Sequence, residues 1–236
     1  MTNSLINSTP AGLYIVATPI GNLADISERA INILKSVDLI LAEDTRHFKT
    51  LATRYAISTP VESYHDAAER GKSPRYIEKL KAGATIALVS DAGTPLISDP
   101  GFILVRAARA NRIPVFPVPG ASAAIAALSV SGMESDSFFF QGFLPERPGK
   151  KKSRLKEILE FGTTVIIYES PYRIIKTLEQ IIILAPTAEV FIAREITKLH
   201  EEYLKGDVAT ILTELSSRQA IKGEIVLIVN AKTTVN

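Results

Sequence analysis

The sequence of 236 residues contains no cysteine and only three histidines, His47, His65 and His200. The absence of cysteine excludes disulfides, thiolate zinc sites and cysteine nucleophiles. Because the histidines lie far apart in the sequence, we expect no metal site. No apolar run approaches the length of a membrane span, and residues 1–10 lack the basic flank and apolar stretch of a signal peptide. We therefore expect a cytoplasmic protein with no membrane contact.

Three familiar motifs are also missing. The sequence has no Gly-x-x-x-x-Gly-Lys-Ser/Thr, no Gly-x-Gly-x-x-Gly and no Gly-x-Ser-x-Gly. The sequence therefore lacks the fingerprints of P-loop enzymes, of ordinary Rossmann dehydrogenases and of Ser-His-Asp hydrolases with a nucleophile elbow. A cofactor, if there is one, must be held in another way.

The composition is that of a globular protein, with 46% hydrophobic and 22% charged residues. The length predicts one large or two medium domains, and we expect two. A polar stretch from Ser131 to Ser137 suggests the boundary, which gives domains 1–132 and 133–236. The net charge of +2 is too small to make nucleic-acid binding the default, so local charge matters more.

Strand and helix patterns alternate about five times in the first half. Apolar segments predict buried strands at 13–18, 38–42, 61–64, 86–89 and 115–118. Each ends in a polar loop, which is typical of a mostly parallel sheet with helices on both faces. We expect a polar loop at 65–70, with Ser73 and Pro74 starting the next helix. In the second half strands and helices recur, but their pairing stays open.

The longest of these loops, Ser90 to Gly101, follows the apolar run that ends at Val89. Such a loop outside the carboxyl end of a strand is a common place for a ligand in an open α/β sheet. Asp91 and Asp99 favour a cation or a hydroxyl-bearing ligand over a bare phosphate, because carboxylates repel phosphate. One of the two could instead only cap the helix from Phe102, and Asp99 is the better placed to do so.

A basic segment between Glu146 and Lys156 contains six cations, namely Arg147, Lys150, Lys151, Lys152, Arg154 and Lys156. We interpret it as a loop that either is simply solvated or contacts several phosphates of an RNA.

Two further strand ends carry polar groups. The segment from Arg194 to Glu202 could hold a general base and a substrate clamp, or form a surface ion-pair cluster. Polar residues also follow the strand that ends at Tyr168, from Glu169 to Arg173.

Seven ordered motifs, which span nearly the whole chain, resemble the family of ribosomal RNA small subunit methyltransferase I within the tetrapyrrole methylase superfamily. They are Val16 to Leu23, Ala42 to Arg46, Ser90 to Pro95 with Ser98 to Gly101, Pro119 to Ser122, Gly142 to Pro145, Tyr168 to Pro171, and Arg194 to Lys198. The resemblance implies two α/β domains with S-adenosylmethionine in the cleft between them, and a homodimer. Longer family members continue into a C-terminal helical domain, which we expect to be absent here.

The resemblance also implies 2′-O-methylation of a cytidine ribose in the decoding region of 16S ribosomal RNA, as naked RNA or within the small ribosomal subunit. It assigns to the cofactor Ser90, Asp91, Ala92, Gly93, Thr94, Ser122, Ala123, Tyr168, Glu169, Gly223, Glu224 and Ile225. To these we add residues of the ligand-type loops, namely Pro19, Gly21 and Asp99.

Methyl transfer to a hydroxyl needs a base, for which Glu195, Lys198 and Asp44 are candidates at strand ends. Arg46 and Arg194 would clamp phosphates. The reaction itself requires no metal. Two alternatives remain: a superfamily methylase acting on a tetrapyrrole or on a modified histidine of an elongation factor, and a non-catalytic RNA-binding assembly module.

Overall fold

The structure, a computed structural model, describes residues 9–231, without the side chains of residues 66–68. The expectations for the N-terminal stretch before Thr9 and for the chain end at Asn236 fall outside the described residues. Across the described range, no helix is long and apolar enough to cross a membrane. The chain divides after Ser122 into two compact units.

The described part of the first unit is an α/β structure. Its elements are β1 (Gly12–Val16), a 3-10 turn (Leu23–Asp25), α1 (Glu28–Ser36), β2 (Leu39–Ala42), α2 (Thr45–Tyr55), β3 (Val61–Ser63), α3 (Asp66–Lys81), β4 (Thr85–Val89), α4 (Phe102–Ala110) and β5 (Val115–Val118). All strand pairs are parallel, in the order β3-β2-β4-β1-β5. The expected parallel sheet is confirmed.

Alternate residues of these strands form two cores, one on each face of the sheet. Leu13 and Leu88 belong to one core, which includes Tyr76 of α3 and Leu104 of α4. Residues of opposite parity belong to the other core, together with side chains of α1 and α2. Successive side chains of a strand point to opposite faces, so nearly continuous apolar strands require helices on both sides.

The second unit is built around a mixed sheet. Its elements are α5 (Ala123–Ser131), β6 (Phe138–Phe143), α6 (Pro148–Leu159), β7 (Thr164–Glu169), α7 (Ile174–Leu184), β8 (Glu189–Arg194), β9 (Glu202–Asp207), α8 (Val208–Ser216) and β10 (Ile225–Asn230). The order is β6-β7-β10-β8-β9, in which β6 and β7 pair in parallel and the other pairs are antiparallel. One face packs on α6, α7 and α8 through a single apolar core.

Helix α5 packs against β10, β7 and β8 and so groups with the second unit. We had expected it in a first domain reaching residue 132. Its sequence is almost wholly small and apolar, which gives no local sign of the sheet on which it packs.

Four local features differ from the expectations. Helix α3 begins at Asp66 with His65 as its N-cap, so no polar loop covers 65–70. Ser73 is not a cap, because its hydroxyl donates to the carbonyl of Glu69 inside that helix. Strand β9 was missed, since its residues alternate between exposed and half-buried at the edge of the sheet. The basic segment is also no loop: Pro148 starts α6.

Gly101 is the N-cap of α4 and has a φ of 132°, which favours glycine. A Cβ there would lie 2.6 Å from Cδ2 of Leu88 and 2.9 Å from Cδ1 of Leu96. We expect Gly101→Ala to lower the free energy of unfolding by about 1 to 3 kcal/mol, as measured by urea denaturation.

Gly71→Ala is the matched control, because a Cβ at Gly71 in α3 meets nothing within 4 Å. We expect it to be neutral or stabilising by up to about 1 kcal/mol, since alanine is the better helix former. Equal stability of the two variants would contradict the strain at Gly101.

Candidate functional site

The loops at the carboxyl ends of β1 and β4 are joined through their backbones. Thr18 N–H donates to the Gly93 carbonyl at 2.8 Å, and Gly93 N–H donates back to the Thr18 carbonyl at 3.1 Å. The buried Thr18 hydroxyl also donates to the carbonyl of Ser90 at 3.2 Å. Sequence reasoning missed Thr18; a polar residue directly after an apolar strand and before Pro19 was the available signal.

Two more bonds extend this assembly. The Thr94 hydroxyl donates to the carbonyl of Ala121 at 3.3 Å, in the turn after β5. The backbone N–H of Asp44, after β2, donates to Oδ1 of Asp91 at 3.0 Å. The structure therefore groups the predicted loop residues of the first unit, Pro19, Gly21, Ser90 to Thr94 and Ser122, at the carboxyl edge of one sheet.

Asp99 does not cap α4 as its N-cap residue. That position is Gly101, which has no side-chain cap. The backbone N–H of Gly101 instead donates to the buried carboxylate of Glu69 from α3. The carboxylate that contacts the N-cap of α4 thus comes from 32 residues away in sequence.

Asp44 is the N-cap of α2 and accepts from the backbone N–H of Arg46 at 2.8 Å. The Arg46 guanidinium also donates to both carboxylate oxygens, and its side chain is 90% exposed. These hydrogen bonds lower the pKa of Asp44 to about 2. Both carboxylate oxygens of Asp44 already accept from Arg46, so Asp44 is disfavoured as the group that takes the substrate proton. The clamp role of Arg46 stays a prediction.

In the second unit, strand register brings the other predicted segments to one edge of the sheet. Ile225 pairs with both Glu169 and Arg194. Tyr168 pairs with Phe143 on its other side. The second unit's share of the predicted cofactor and catalytic residues lies in the segments around Glu169, Arg194 and Gly223, and at Ala123, where the unit starts.

The turn after β8 is built around Glu195, whose φ of 54° is left-handed. Its Oε1 accepts from Nζ of Lys198 at 3.0 Å and from the N–H of Glu224 at 2.9 Å. Lys198 Nζ also lies 3.2 Å from Oε2 of Glu224. The Glu195 side chain fills the space that a Cβ at Gly223 would need, which explains glycine there at a φ of 91°.

These contacts decide two protonation states. Burial raises the pKa of Glu195, but the Glu224 N–H and the Lys198 ammonium outweigh it, so the pKa lies below its usual value. Burial lowers the pKa of Lys198, but the two carboxylates outweigh it and the net shift is upward. At neutral pH Glu195 is ionised and Lys198 is an ammonium ion. Lys198 is thus unsuited to act as the base.

Arg194 is engaged within its own unit. Its Nε donates to Glu202 at 2.8 Å, and its two terminal nitrogens donate to the carbonyls of Lys222 and His200. Glu202 also accepts two bonds from Arg218, which lower the pKa of Glu202 to about 2. The structure therefore favours the ion-pair interpretation of Arg194 over a substrate clamp.

The six cations predicted to face RNA separate into three groups. Lys151 lies on the buried face of α6 with Leu155 and Ile158, so it is removed from the RNA-binding set. Arg154 donates to Gln141 at 2.6 Å and pairs with Glu157 at 2.8 Å. The exposed cations that remain are Arg147, Lys150, Lys152 and Lys156.

The Lys151 ammonium is paired inside the second unit. Its Nζ donates to Oε2 of Glu169 at 3.1 Å and to the hydroxyl of Thr177. Oε1 of Glu169 accepts from the Ser170 N–H at 2.8 Å and lies 3.2 Å from Nε of Arg173. The Glu169 side chain has no exposed area, so any ligand contact there would use its backbone.

Burial lowers the pKa of Lys151, and the Glu169 carboxylate partly offsets that effect. Sequence reasoning missed this cluster because Lys151 stands between two other lysines. The available signal was its spacing of four and seven residues from Leu155 and Ile158, which places it on the apolar face. Among the described residues, no group of three or more histidine or acidic side chains could hold a metal ion.

We expect Lys151→Met to lower the free energy of unfolding by about 3 to 5 kcal/mol, because Glu169 loses a buried partner. Adding Glu169→Gln should recover part of that loss, since the unpaired charge disappears. The control Lys152→Met removes a neighbouring exposed cation and should change stability by less than about 0.5 kcal/mol. Urea denaturation of all three would contradict the buried pair if Lys151→Met and Lys152→Met were equally stable.

Comparison with known proteins identifies the family. Residues 12–212 match the tetrapyrrole (corrin/porphyrin) methylases. Ribosomal RNA small subunit methyltransferase I of Xylella fastidiosa is 49% identical over 224 residues, which cover 94% of this chain and 82% of that protein. The protein of the same name from Haemophilus influenzae is 50% identical over 223 residues, 93% of this chain and 78% of that protein.

Solved structures share the fold at low sequence identity. Uroporphyrin-III C-methyltransferase from Thermus thermophilus, complexed with S-adenyl homocysteine, superimposes with a TM-score of 0.64 at 15% identity. The match covers 92% of this chain and 96% of that one. By the matched residues and by identity to its relatives, the chain belongs to the tetrapyrrole methylases and, within them, to the family of ribosomal RNA small subunit methyltransferase I.

Proposed function

We propose that the protein transfers a methyl group from S-adenosylmethionine to the 2′-oxygen of a cytidine ribose in the decoding region of 16S ribosomal RNA. The observation that carries the proposal is 49% identity, over 94% of the chain, to a ribosomal RNA small subunit methyltransferase I. It is a methyltransferase that uses S-adenosylmethionine, and it acts on RNA of the small ribosomal subunit. The proposal adds that the methylated nucleotide is a cytidine and that the methylated atom is its 2′-oxygen.

The chemistry of the first unit's edge fits the cofactor. S-adenosylmethionine carries ribose hydroxyls and an ammonium group, which need acceptors, and it has no phosphate. The loop from Ser90 to Gly101 offers hydroxyls and carboxylates and contains no Lys or Arg. Its backbone is fixed by the pairing of Gly93 with Thr18 and by the Asp91 contact to Asp44. We assign Pro19, Gly21, Ser90 to Thr94, Asp99 and Ser122 to cofactor binding.

The second unit's predicted cofactor residues form a separate part of the proposal. They are Ala123, Tyr168, Glu169 and Gly223 to Ile225. The buried and fully bonded side chain of Glu169 limits that residue to a backbone contact.

The bound cofactor supplies an activated methyl group on a sulfonium, and the protein must align the ribose oxygen opposite the departing sulfur. Alignment of this kind can account for roughly 7 to 11 kcal/mol of barrier lowering. The hydroxyl proton needs an acceptor. Of Glu195, Lys198 and Asp44, we assign that role to Glu195, because it is ionised and partly shielded and its Oε1 is held by Lys198 and Glu224.

RNA binding is assigned to the exposed cations Arg147, Lys150, Lys152 and Lys156 and to Arg46. Each neutralised phosphate of a single strand adds about 0.7 to the slope of log K against log salt. We further propose that the enzyme is a cytoplasmic homodimer whose substrate is 16S RNA, naked or within the small ribosomal subunit.

The direct test is incubation with methyl-labelled S-adenosylmethionine and, separately, small ribosomal subunits, naked 16S RNA and total cell protein. Label should enter the RNA at an alkali-resistant linkage, because a 2′-O-methyl group blocks strand cleavage there. The preferred RNA form shows whether assembly is needed. Label in protein, or in no macromolecule while cofactor binds, would overturn the RNA assignment.

Glu195→Gln should lower kcat by about 10²- to 10⁴-fold, the usual contribution of a general base, while calorimetry shows unchanged cofactor affinity. Glu201→Gln, in the same turn, is the charge-matched control and should keep kcat.

Lys198→Ala should raise the pKa of Glu195, because it removes the neighbouring ammonium. A base must be unprotonated, so the acid limb of the kcat/KM profile should move to higher pH in this variant. An unmoved acid limb together with an active Glu195→Gln variant would place the base elsewhere.

A further inference from the structure

Tyr172 lies in the turn between β7 and α7 and is 91% exposed. An aromatic ring is seldom left so accessible, because its burial contributes strongly to stability. The ring takes no part in the apolar core of the second unit. The ring is therefore accessible to a ligand.

The turn that presents Tyr172 is firmly held. Tyr172 N–H donates to the Ser170 hydroxyl at 3.2 Å, and Arg173 N–H donates to the Ser170 carbonyl at 2.9 Å. The Arg173 guanidinium lies 3.2 Å from the buried Glu169 carboxylate, which Lys151 also contacts. An exposed ring on a backbone held at its own N–H and at that of the next residue loses little further freedom when it binds a ligand.

Arg173 also connects this turn to the one that follows β6. Its Nη2 donates to the carbonyl of Leu144 at 2.8 Å and, more weakly, to that of Pro145 at 3.4 Å. The chain then enters α6, where Arg147 is the N-cap and Lys150 lies in the first turn. Both cations are exposed, and within residues 9–231 the structure gives neither an ion-pair partner.

A second ring lies at the same end of the sheet. Phe143, the last residue of β6, is 56% exposed and packs edge-on against Tyr168 at 5.6 Å between ring centroids. The second unit thus presents two accessible rings at this end of its sheet, and two exposed cations follow Phe143 in the chain, with Glu146 as the nearby acid in sequence. Duplex RNA would offer phosphates to the cations but no ring face to an aromatic side chain, whereas an unpaired strand offers both.

We propose that Tyr172 is a stacking platform for an unpaired base of the RNA substrate, with Arg147 and Lys150 contacting adjoining phosphates. The inference rests on the proposed function and narrows it, because it specifies that the recognised segment is single-stranded. Tyr172 would then set which RNA form the enzyme accepts, through binding rather than through the chemical step.

The test compares Tyr172→Leu, which removes the ring, with Tyr172→Phe, which keeps it. Stacking on an aromatic residue corresponds to a loss of about 5- to 150-fold in affinity when the ring is removed. For Tyr172→Leu we therefore expect the KM for small ribosomal subunits and the Kd for an unpaired RNA oligonucleotide to rise by that factor. The kcat and the cofactor affinity should stay unchanged. Tyr172→Phe should stay close to the unaltered protein.

Ile183→Ala is the matched control, since Ile183 on α7 is 73% exposed and has no π face. It should leave KM and Kd unchanged. A hairpin duplex of the same composition should bind Tyr172→Leu and the unaltered protein equally well, because duplex binding uses only the cations.

Three results would overturn the proposal. Tyr172→Leu could bind the unpaired oligonucleotide as tightly as the unaltered protein, or lose unpaired and duplex RNA equally. It could also change the subunit number in light scattering, which would make the ring a contact between copies. These outcomes differ from failure of the proposed function, in which the unaltered protein itself would transfer no methyl group to RNA.

Discussion

The buried ion pair between Lys151 and Glu169 holds the edge of the second unit that carries its predicted site residues. Lys151 comes from α6, Glu169 ends β7, and Thr177 of α7 bonds to both. Three elements therefore converge on two charges that water does not reach. Such charges are tolerable only when each is paired and hydrogen-bonded. Glu169 meets that condition by also accepting from the Ser170 backbone and pairing with Arg173.

Further hydrogen bonds connect this cluster to the neighbouring turns. Arg173 binds the carbonyls of Leu144 and Pro145, so the turn after β6 is tied to the turn after β7. On the neighbouring strands, Glu195 ties the turn after β8 to the start of β10 through the N–H of Glu224. These polar contacts connect the turns to one another, and the turn after β7 presents Tyr172 exposed.

In the first unit, hydrogen bonds to backbone carbonyls hold the loops at the edge of the sheet. The mutual pairing of Thr18 and Gly93 and the bond from Thr94 to Ala121 fix the loops at the carboxyl edge of a parallel sheet. Below them, apolar residues of alternating parity fill one core on each face.

The carboxylates of Asp44 and Glu195 are held by different surroundings. Asp44 is held by an exposed arginine, whereas Glu195 is partly buried beside an ammonium ion. The Glu195 carboxylate is the less exposed of the two, with 19% of its side chain accessible against 34% for Asp44.

The sequence by itself determined what depends on near neighbours. The alternation of strand and helix patterns predicted the parallel sheet of the first unit, and strand β5 has the bounds expected from its apolar run. The motifs identified the family and the loop from Ser90 to Thr94. What only the tertiary structure decided depends on distant partners. Lys151 is buried because Glu169 and Thr177 receive it, Glu69 accepts from the N-cap N–H of α4, and β9 forms because β8 offers an edge. The spacing of Lys151 from Leu155 and Ile158 places it on the apolar face of α6, but only the fold supplies the carboxylate, 18 residues away, that pairs with it there.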